Sequence, residues 1–202
     1  MYSQGQEEAI ILKEVARLGI VSGRFLDIGA YDGLKFSNTA RLVELRWTGV
    51  LVEPSPSVFV KLMSNRREMS VELVQALVVP SAMVDRSGVY SFWDASGDGT
   101  STTEIENKRK WAKAGSKFRA MHTAGITLAQ LSAKFPGPFD LISIDTEGTS
   151  VLLASEIPES WRPQILIVEH DGKEATLQKA VQTRFSLRQV WCDPNNMIFA
   201  NP

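Results

Sequence analysis

Apolar positions change period several times along the chain, and each change marks a boundary between an expected strand and an expected helix. Over residues 7–18 they recur at helical spacing, with Ile11, Val15 and Leu18 on one face and Gly19 as a stop. This helix is expected near the mouth of any cleft. Residues 24–28 predict a first strand, because Phe25, Leu26 and Ile28 form the near-continuous apolar run of a strand covered on both faces. After a glycine turn, Ser37 or Asn38 can cap a helix reaching residue 46, with Ala40, Val43 and Trp47 inward. Residues 49–52 predict a second strand. Ser55-Pro56-Ser57 opens the next helix, with Phe59, Leu62 and Met63 on its buried face, and a third strand spans residues 71–79.

The middle is less regular. Residues 89–93 predict an inserted strand after the Asp85-Arg86-Ser87-Gly88 turn, followed by a polar loop over 94–103. A basic stretch over 108–119 (Lys108, Arg109, Lys110, Lys113, Lys117 and Arg119) is interrupted by Trp111 and Phe118. Such a run is ordinarily a solvated helix face; its functional alternative is a mobile segment over the site that recruits an anionic substrate. Residues 85–122 are therefore expected to be an insertion or lid within a single domain of residues 1–202. Order returns at Thr127-Leu128-Ala129-Gln130, a capping-box pattern whose short helix ends at Pro136-Gly137-Pro138. Residues 139–145 predict a central strand, 149–157 a helix, and 164–168 a buried strand ending at Glu169-His170-Asp171. A helix over 172–183, a segment over 185–191, a turn at 193–196 and a hairpin partner at 197–200 close the chain. The alternation predicts an α/β fold with a mostly parallel sheet, whose right-handed crossovers gather the carboxyl ends of the strands on one rim.

Composition changes this picture little. The chain has 202 residues, a formal net charge of -1 and 44% apolar residues, so bulk charge does not argue for nucleic acid. Cys192 is the only cysteine, which excludes an internal disulfide and a thiolate metal cluster within one chain and suits a reducing compartment. The sequence has no basic segment leading into an apolar one and no run near the roughly 20 apolar residues of a membrane span. A cytoplasmic location without a membrane partner is the expectation; oligomeric state is left open.

The chemistry gathers where the first strand ends. Gly29 and Gly33 stand four apart, unlike the G-x-G-x-x-G of a pyrophosphate loop, and Asp27 and Asp32 accompany them. Two carboxylates suit a cationic ligand end, such as the amino group and sulfonium of S-adenosylmethionine. Glu53, ending the second strand, would accept hydrogen bonds from ribose hydroxyls. The plainer alternative is a tight turn that the two aspartates merely cap.

Four stretches together resemble the FkbM-type methyltransferases, within the class I S-adenosylmethionine-dependent fold. They are Asp27-Ile28-Gly29-Ala30-Tyr31-Asp32-Gly33; the stretch from Trp47 through Glu53-Pro54, with Pro56; Ile144-Asp145-Thr146-Glu147-Gly148; and Asn195-Asn196-Met197-Ile198-Phe199. The resemblance implies a Rossmann-like, three-layer α/β/α fold with a seven-stranded, mostly parallel sheet and an antiparallel last strand. It also implies O-methylation of a hydroxyl on a sugar, polyketide or other small metabolite. Carried over, Asp27, Gly29, Ala30, Tyr31, Asp32 and Gly33 would hold the methionine part, with Ser37 as a carboxylate contact. Glu53 and Pro54 would meet the ribose, and Gln75 and Ala76 the adenine. Thr149 and Ser150 depart from the family's usual small residue followed by an acid.

Asp145, Glu147 and His170 are the expected catalytic candidates, since removal of a hydroxyl proton needs a base at the strand rim. A divalent cation held by Asp145, His170 and Asp171 is a variant of that idea. Asp171 also fits an N-cap of the next helix through Glu174, and His122 is expected to pack or face solvent. A non-catalytic S-adenosylmethionine-binding module is the competing reading; a nicotinamide oxidoreductase is disfavoured by the missing glycine pattern.

Overall fold

A computed structural model describes residues 1–67 and 70–202. Its first half runs α1 (Glu7–Arg17), β1 (Arg24–Ile28), α2 (Ala40–Glu44), β2 (Thr48–Val52), α3 (Pro56–Asn65), β3 (Val71–Val74) and β4 (Leu77–Val78). An excursion through β5 (Val89–Asp94), α4 (Ile105–Lys113) and β6 (Arg119–Ile126) follows. The second half is α5 (Leu128–Lys134), β7 (Leu141–Ile144), α6 (Ser150–Glu156), β8 (Ile165–Glu169), α7 (Glu174–Arg184), β9 (Arg188–Cys192) and β10 (Asn196–Ala200).

Seven strands form one sheet in the order β3-β2-β1-β7-β8-β10-β9. Pairing is parallel from β3 through β8, and β10 runs antiparallel to both β8 and β9. This is the Rossmann-like architecture that the resemblance implies, with the order reversing between β1 and β7, where a crevice must open above the carboxyl ends.

Strand alternation sorts the apolar residues onto two cores. Leu26, Ile28, Val50, Val52, Ile142 and Ile144 face α5, α6 and α7, meeting Leu131, Leu153 and Val181. Phe25, Leu51, Leu141 and Ile167 face α1, α2 and α3, meeting Ile11, Leu42 and Leu62. Each such side chain, fully buried, contributes about 1.5–3 kcal/mol of transfer free energy. Trp161 anchors the first core by standing edge-on to Phe139, ring centroids 5.3 Å apart, while its indole N–H donates to the Phe135 carbonyl at 3.1 Å.

Local signals place several boundaries. The Thr127 hydroxyl accepts from Gln130 N–H at 3.2 Å and the Gln130 side chain accepts from Thr127 N–H at 2.9 Å, completing the capping box. Ser55 caps α3 by accepting from Val58 N–H, with Pro56 in the first turn.

Four expectations are corrected. The third strand breaks at Gln75-Ala76: β3 pairs with β2, and β4 leaves for a second, three-stranded sheet in the order β4-β6-β5. Met63 is half exposed, because α3 buries Val58 and Leu62 instead. The helix expected to reach residue 46 stops at Glu44, with Arg46 in the left-handed region at φ 67°. Asp171 is not the cap of α7, which begins at Glu174 behind Lys173 without a side-chain cap.

Candidate active site

The crevice above β1, β2, β7 and β8 is a cleft of about 320 Å³. Its floor is made by the first residues beyond each strand. Gly29 N–H and Ala30 N–H both donate to the Val52 carbonyl, at 2.9 and 3.0 Å, locking the turn after β1 to the end of β2. Tyr31 then adopts φ 52°, which aims its amide at Glu53 Oε2, 3.1 Å away, while Ser55 N–H donates to Oε1 at 2.8 Å. Glu53 is buried, and burial raises its carboxyl to about 7, with the two amides pulling the other way. Each of its oxygens keeps a second lone pair for a ligand hydroxyl.

Asp27 ends up in the same cleft. Its Oδ2 accepts from the buried Thr39 hydroxyl at 2.6 Å; desolvation lifts its carboxyl to about 6, which the Thr39 bond opposes. Ser37 accepts from Ala40 N–H at 3.0 Å beside it. Beyond Glu53 and Pro54 the wall turns apolar, with Val58, Ala76, Leu77, Val78 and Phe92.

The other wall is acidic. Ile144 lies opposite Val168 in the parallel β7–β8 register, so the next residue on β7's path, Asp145, falls beside Glu169. Glu169 Oε2 accepts from Glu147 N–H at 3.1 Å, and one oxygen each of Asp145, Glu147 and Glu169 fall within 4.8 Å of one another. Three carboxylates this close require a shared proton or a cation between them. Burial, followed by mutual repulsion, raises Glu147 to about 8 and Glu169 well above the carboxylate range. Asp145 rises to about 6 by desolvation, opposed by a hydrogen bond with Glu169. Among the described residues no lysine, arginine or histidine forms an ion pair with any of the three.

The excursion β5–α4–β6 closes this end. Trp111, on α4, donates its indole N–H to Glu147 Oε2 at 2.9 Å, and Thr102 donates its hydroxyl to the Glu147 carbonyl at 2.6 Å. Tyr31 reaches across to donate to the Gly97 carbonyl.

Of the residues singled out in the sequence, Asp27, Gly29, Ala30, Tyr31, Ser37, Glu53, Pro54, Ala76, Asp145 and Glu147 line the cleft. Asp32 does not: its carboxylate accepts from Leu34 N–H at 2.9 Å and Lys35 N–H at 2.7 Å, so it caps the turn, as the plainer alternative held. Gly33 packs against Leu62 behind that turn, and Gln75 is exposed outside the cleft where the strand breaks. His170 is also outside it, fully buried, with Nε2 bonded to the Asp193 carbonyl at 2.9 Å and Nδ1 accepting from Gly172 N–H at 3.1 Å. With both ring nitrogens engaged away from the cleft, the geometry supports neither the base role nor the cation set of Asp145, His170 and Asp171. Glu169 and Asn38 line the cleft although the sequence pattern did not single them out for it, and Trp111 joins them from a stretch that reads as solvated helix.

The sequence matches the family described as methyltransferase FkbM domain over residues 27–187. No curated protein matches the chain. Among solved structures, a precorrin-6y C5,15-methyltransferase from Geobacter metallireducens shares 11% identity at a TM-score of 0.49, covering 97% of this chain and 87% of its own. A ribosomal protein L11 methylase from Lactobacillus delbrueckii shares 11% at 0.49, covering 96% and 77%. The Burkholderia thailandensis 1,6-didemethyltoxoflavin-N1-methyltransferase, solved with 1,6-didemethyltoxoflavin and S-adenosylhomocysteine bound, shares 14% at 0.46, covering 96% and 76%.

Proposed function

The chain belongs to the FkbM methyltransferase family, and we propose from this that it is an S-adenosylmethionine-dependent O-methyltransferase acting on a hydroxyl of a small metabolite, such as a sugar or polyketide, in the cytoplasm. The observation that carries the cofactor reading is Glu53: a buried carboxylate at the end of β2, held by two backbone amides, between an apolar slot and a second buried acid.

The residues fit the cofactor's parts. The slot of Val58, Leu77, Val78 and Phe92 suits a flat, apolar-faced base, and Glu53 suits a ribose diol. Asp27 suits the cationic methionine end. When bound, S-adenosylmethionine supplies a methyl group on a positively charged sulfur, an already activated electrophile. The chain's task is to align the acceptor oxygen and take its proton. Asp145 is the residue assigned that proton: it lines the cleft and is the least raised of the three acids on that wall. Glu147, held by Trp111, shapes the acceptor's side.

Calorimetric titration with S-adenosylmethionine and S-adenosylhomocysteine tests the cofactor reading. Both should bind, and Asp27→Ala or Glu53→Ala should each weaken binding by about 1–3 kcal/mol, the loss of a charge-assisted hydrogen bond. Undiminished affinity in both variants would contradict the assignment. Transfer of labelled methyl to hydroxylated acceptors tests the reaction, and binding without transfer to any of them favours the non-catalytic alternative.

A further inference from the structure

Two lysine–aromatic pairs stand at the edge of the cleft, from different parts of the chain. On the loop after β1, Lys35 Nζ lies 4.6 Å from the centroid of the Phe36 ring, and both residues line the cleft. On α4, Lys110 Nζ lies 4.5 Å from the centroid of the Trp111 ring, and Trp111 lines the same cleft. Phe36 is 43% exposed, an uncommon place for a large aromatic side chain, and its backbone sits at φ 60°, a left-handed conformation that costs free energy in any residue but glycine. The ring is thus displayed to solvent at the entrance.

The charge around these rings is divided. Asp145, Glu147 and Glu169 make the inner wall acidic, whereas the segment from Glu104 to Arg119 carries six basic residues against two acidic ones in a chain of net charge -1. Neither Lys35 nor Lys110 forms an ion pair among the described residues. An anion is therefore repelled from the inner wall and attracted to the rim, while a hydroxyl is welcome at the carboxylates.

We propose that the entrance between Lys35–Phe36 and Trp111–Lys110 is the acceptor subsite, and that it takes a ring carrying a phosphate group, the phosphate at the lysines and the hydroxyl toward Asp145. The proposal rests on the methyl-transfer reading and adds the acceptor's class and its orientation. Aromatic faces hold the ring, and lysine holds phosphate as a point charge.

The test uses the whole chain saturated with S-adenosylhomocysteine and three probes: phenyl phosphate, phenol and inorganic phosphate, followed by shifts of the tryptophan indole N–H signals in NMR. Phenyl phosphate should bind roughly tenfold or more tightly than either other probe, since it alone engages both ring and charge. Lys110→Gln and Lys35→Gln should each reduce that preference several-fold and leave phenol binding as it was. Calorimetry with S-adenosylhomocysteine on the same variants reports that the cleft has formed. Equal affinities for phenyl phosphate and phenol, or a preference untouched in both variants, overturn the subsite. An absence of S-adenosylhomocysteine binding in the unaltered protein overturns the methyl-transfer reading itself.

Discussion

Gly29→Ala is expected to destabilise the protein by about 4 kcal/mol or more, a large part of the roughly 5–15 kcal/mol by which a domain of this kind is stable. A Cβ on Gly29 would stand 1.7 Å from the Asp145 carbonyl oxygen, inside any contact distance, and the offending atom is backbone. Relief would require β1 and β7 to part at the point where Asp145 N–H donates to the Ile28 carbonyl at 2.9 Å. The φ of 86° adds its own penalty for an alanine. Gly19→Ala is the matched control: φ is 67° and nothing lies within 4 Å of its added Cβ, so only a conformational cost of about 1 kcal/mol is expected. Urea unfolding of the two variants measures the difference. Equal losses would show that the crossing over Asp145 yields more readily than a backbone contact should.

Gly29 also shows what a sequence can and cannot disclose. Its presence marked the turn, but the reason for a glycine is a meeting with residue 145, far along the chain. Elements whose signals are local were legible: the continuous apolar runs of β1 and β8, the capping box at Thr127, the closing hairpin. Those decided by a distant partner were not. The third strand is apolar enough to run on to residue 79, yet β4 turns to pair with β6, from the least regular part of the sequence. The same limit explains His170 and Glu169. Adjacent residues on a strand point to opposite faces, so only one of them could join Asp145. Register selects Glu169, because Val168 pairs with Ile144. Parity counted from the two strands as neighbours selects Glu169 over His170, but that they are neighbours is itself a long-range fact. Asp32 is a subtler case, since an acid after a turn glycine serves a ligand or the turn's own amides, and only the geometry of Leu34 and Lys35 separates the two.

The cofactor-free protein, kept in chelator, is expected to be more stable near pH 5 than at pH 8. Five carboxyls around the cleft, two buried and three partly buried, are raised: Asp27 and Asp145 to about 6, Glu53 to about 7, Glu147 to about 8, and Glu169 well above its usual range. In the unfolded chain all five return to roughly 4. Between these limits the folded state holds more protons than the unfolded state, so unfolding releases protons and stability falls as pH rises. The contribution is fully present below about pH 4 and is lost progressively as pH rises from there, levelling off for each group as pH passes its folded value, from about 6 to about 8. A tenfold change in one carboxyl's affinity for its proton corresponds to about 1.4 kcal/mol, but the three acids on the β7–β8 side repel one another and do not add, so a total loss of about 3–5 kcal/mol is expected. Urea midpoints at several pH values measure it, and Glu53→Gln should make the decline between about pH 4 and 7 shallower. A stability that rose steadily from pH 5 to 8 would mean that these carboxylates are compensated by partners the folded chain does not display. Gathering five desolvated acids around one cleft without a cation costs the empty protein stability at neutral pH, as expected of a cleft built for a positively charged ligand rather than for its own rigidity.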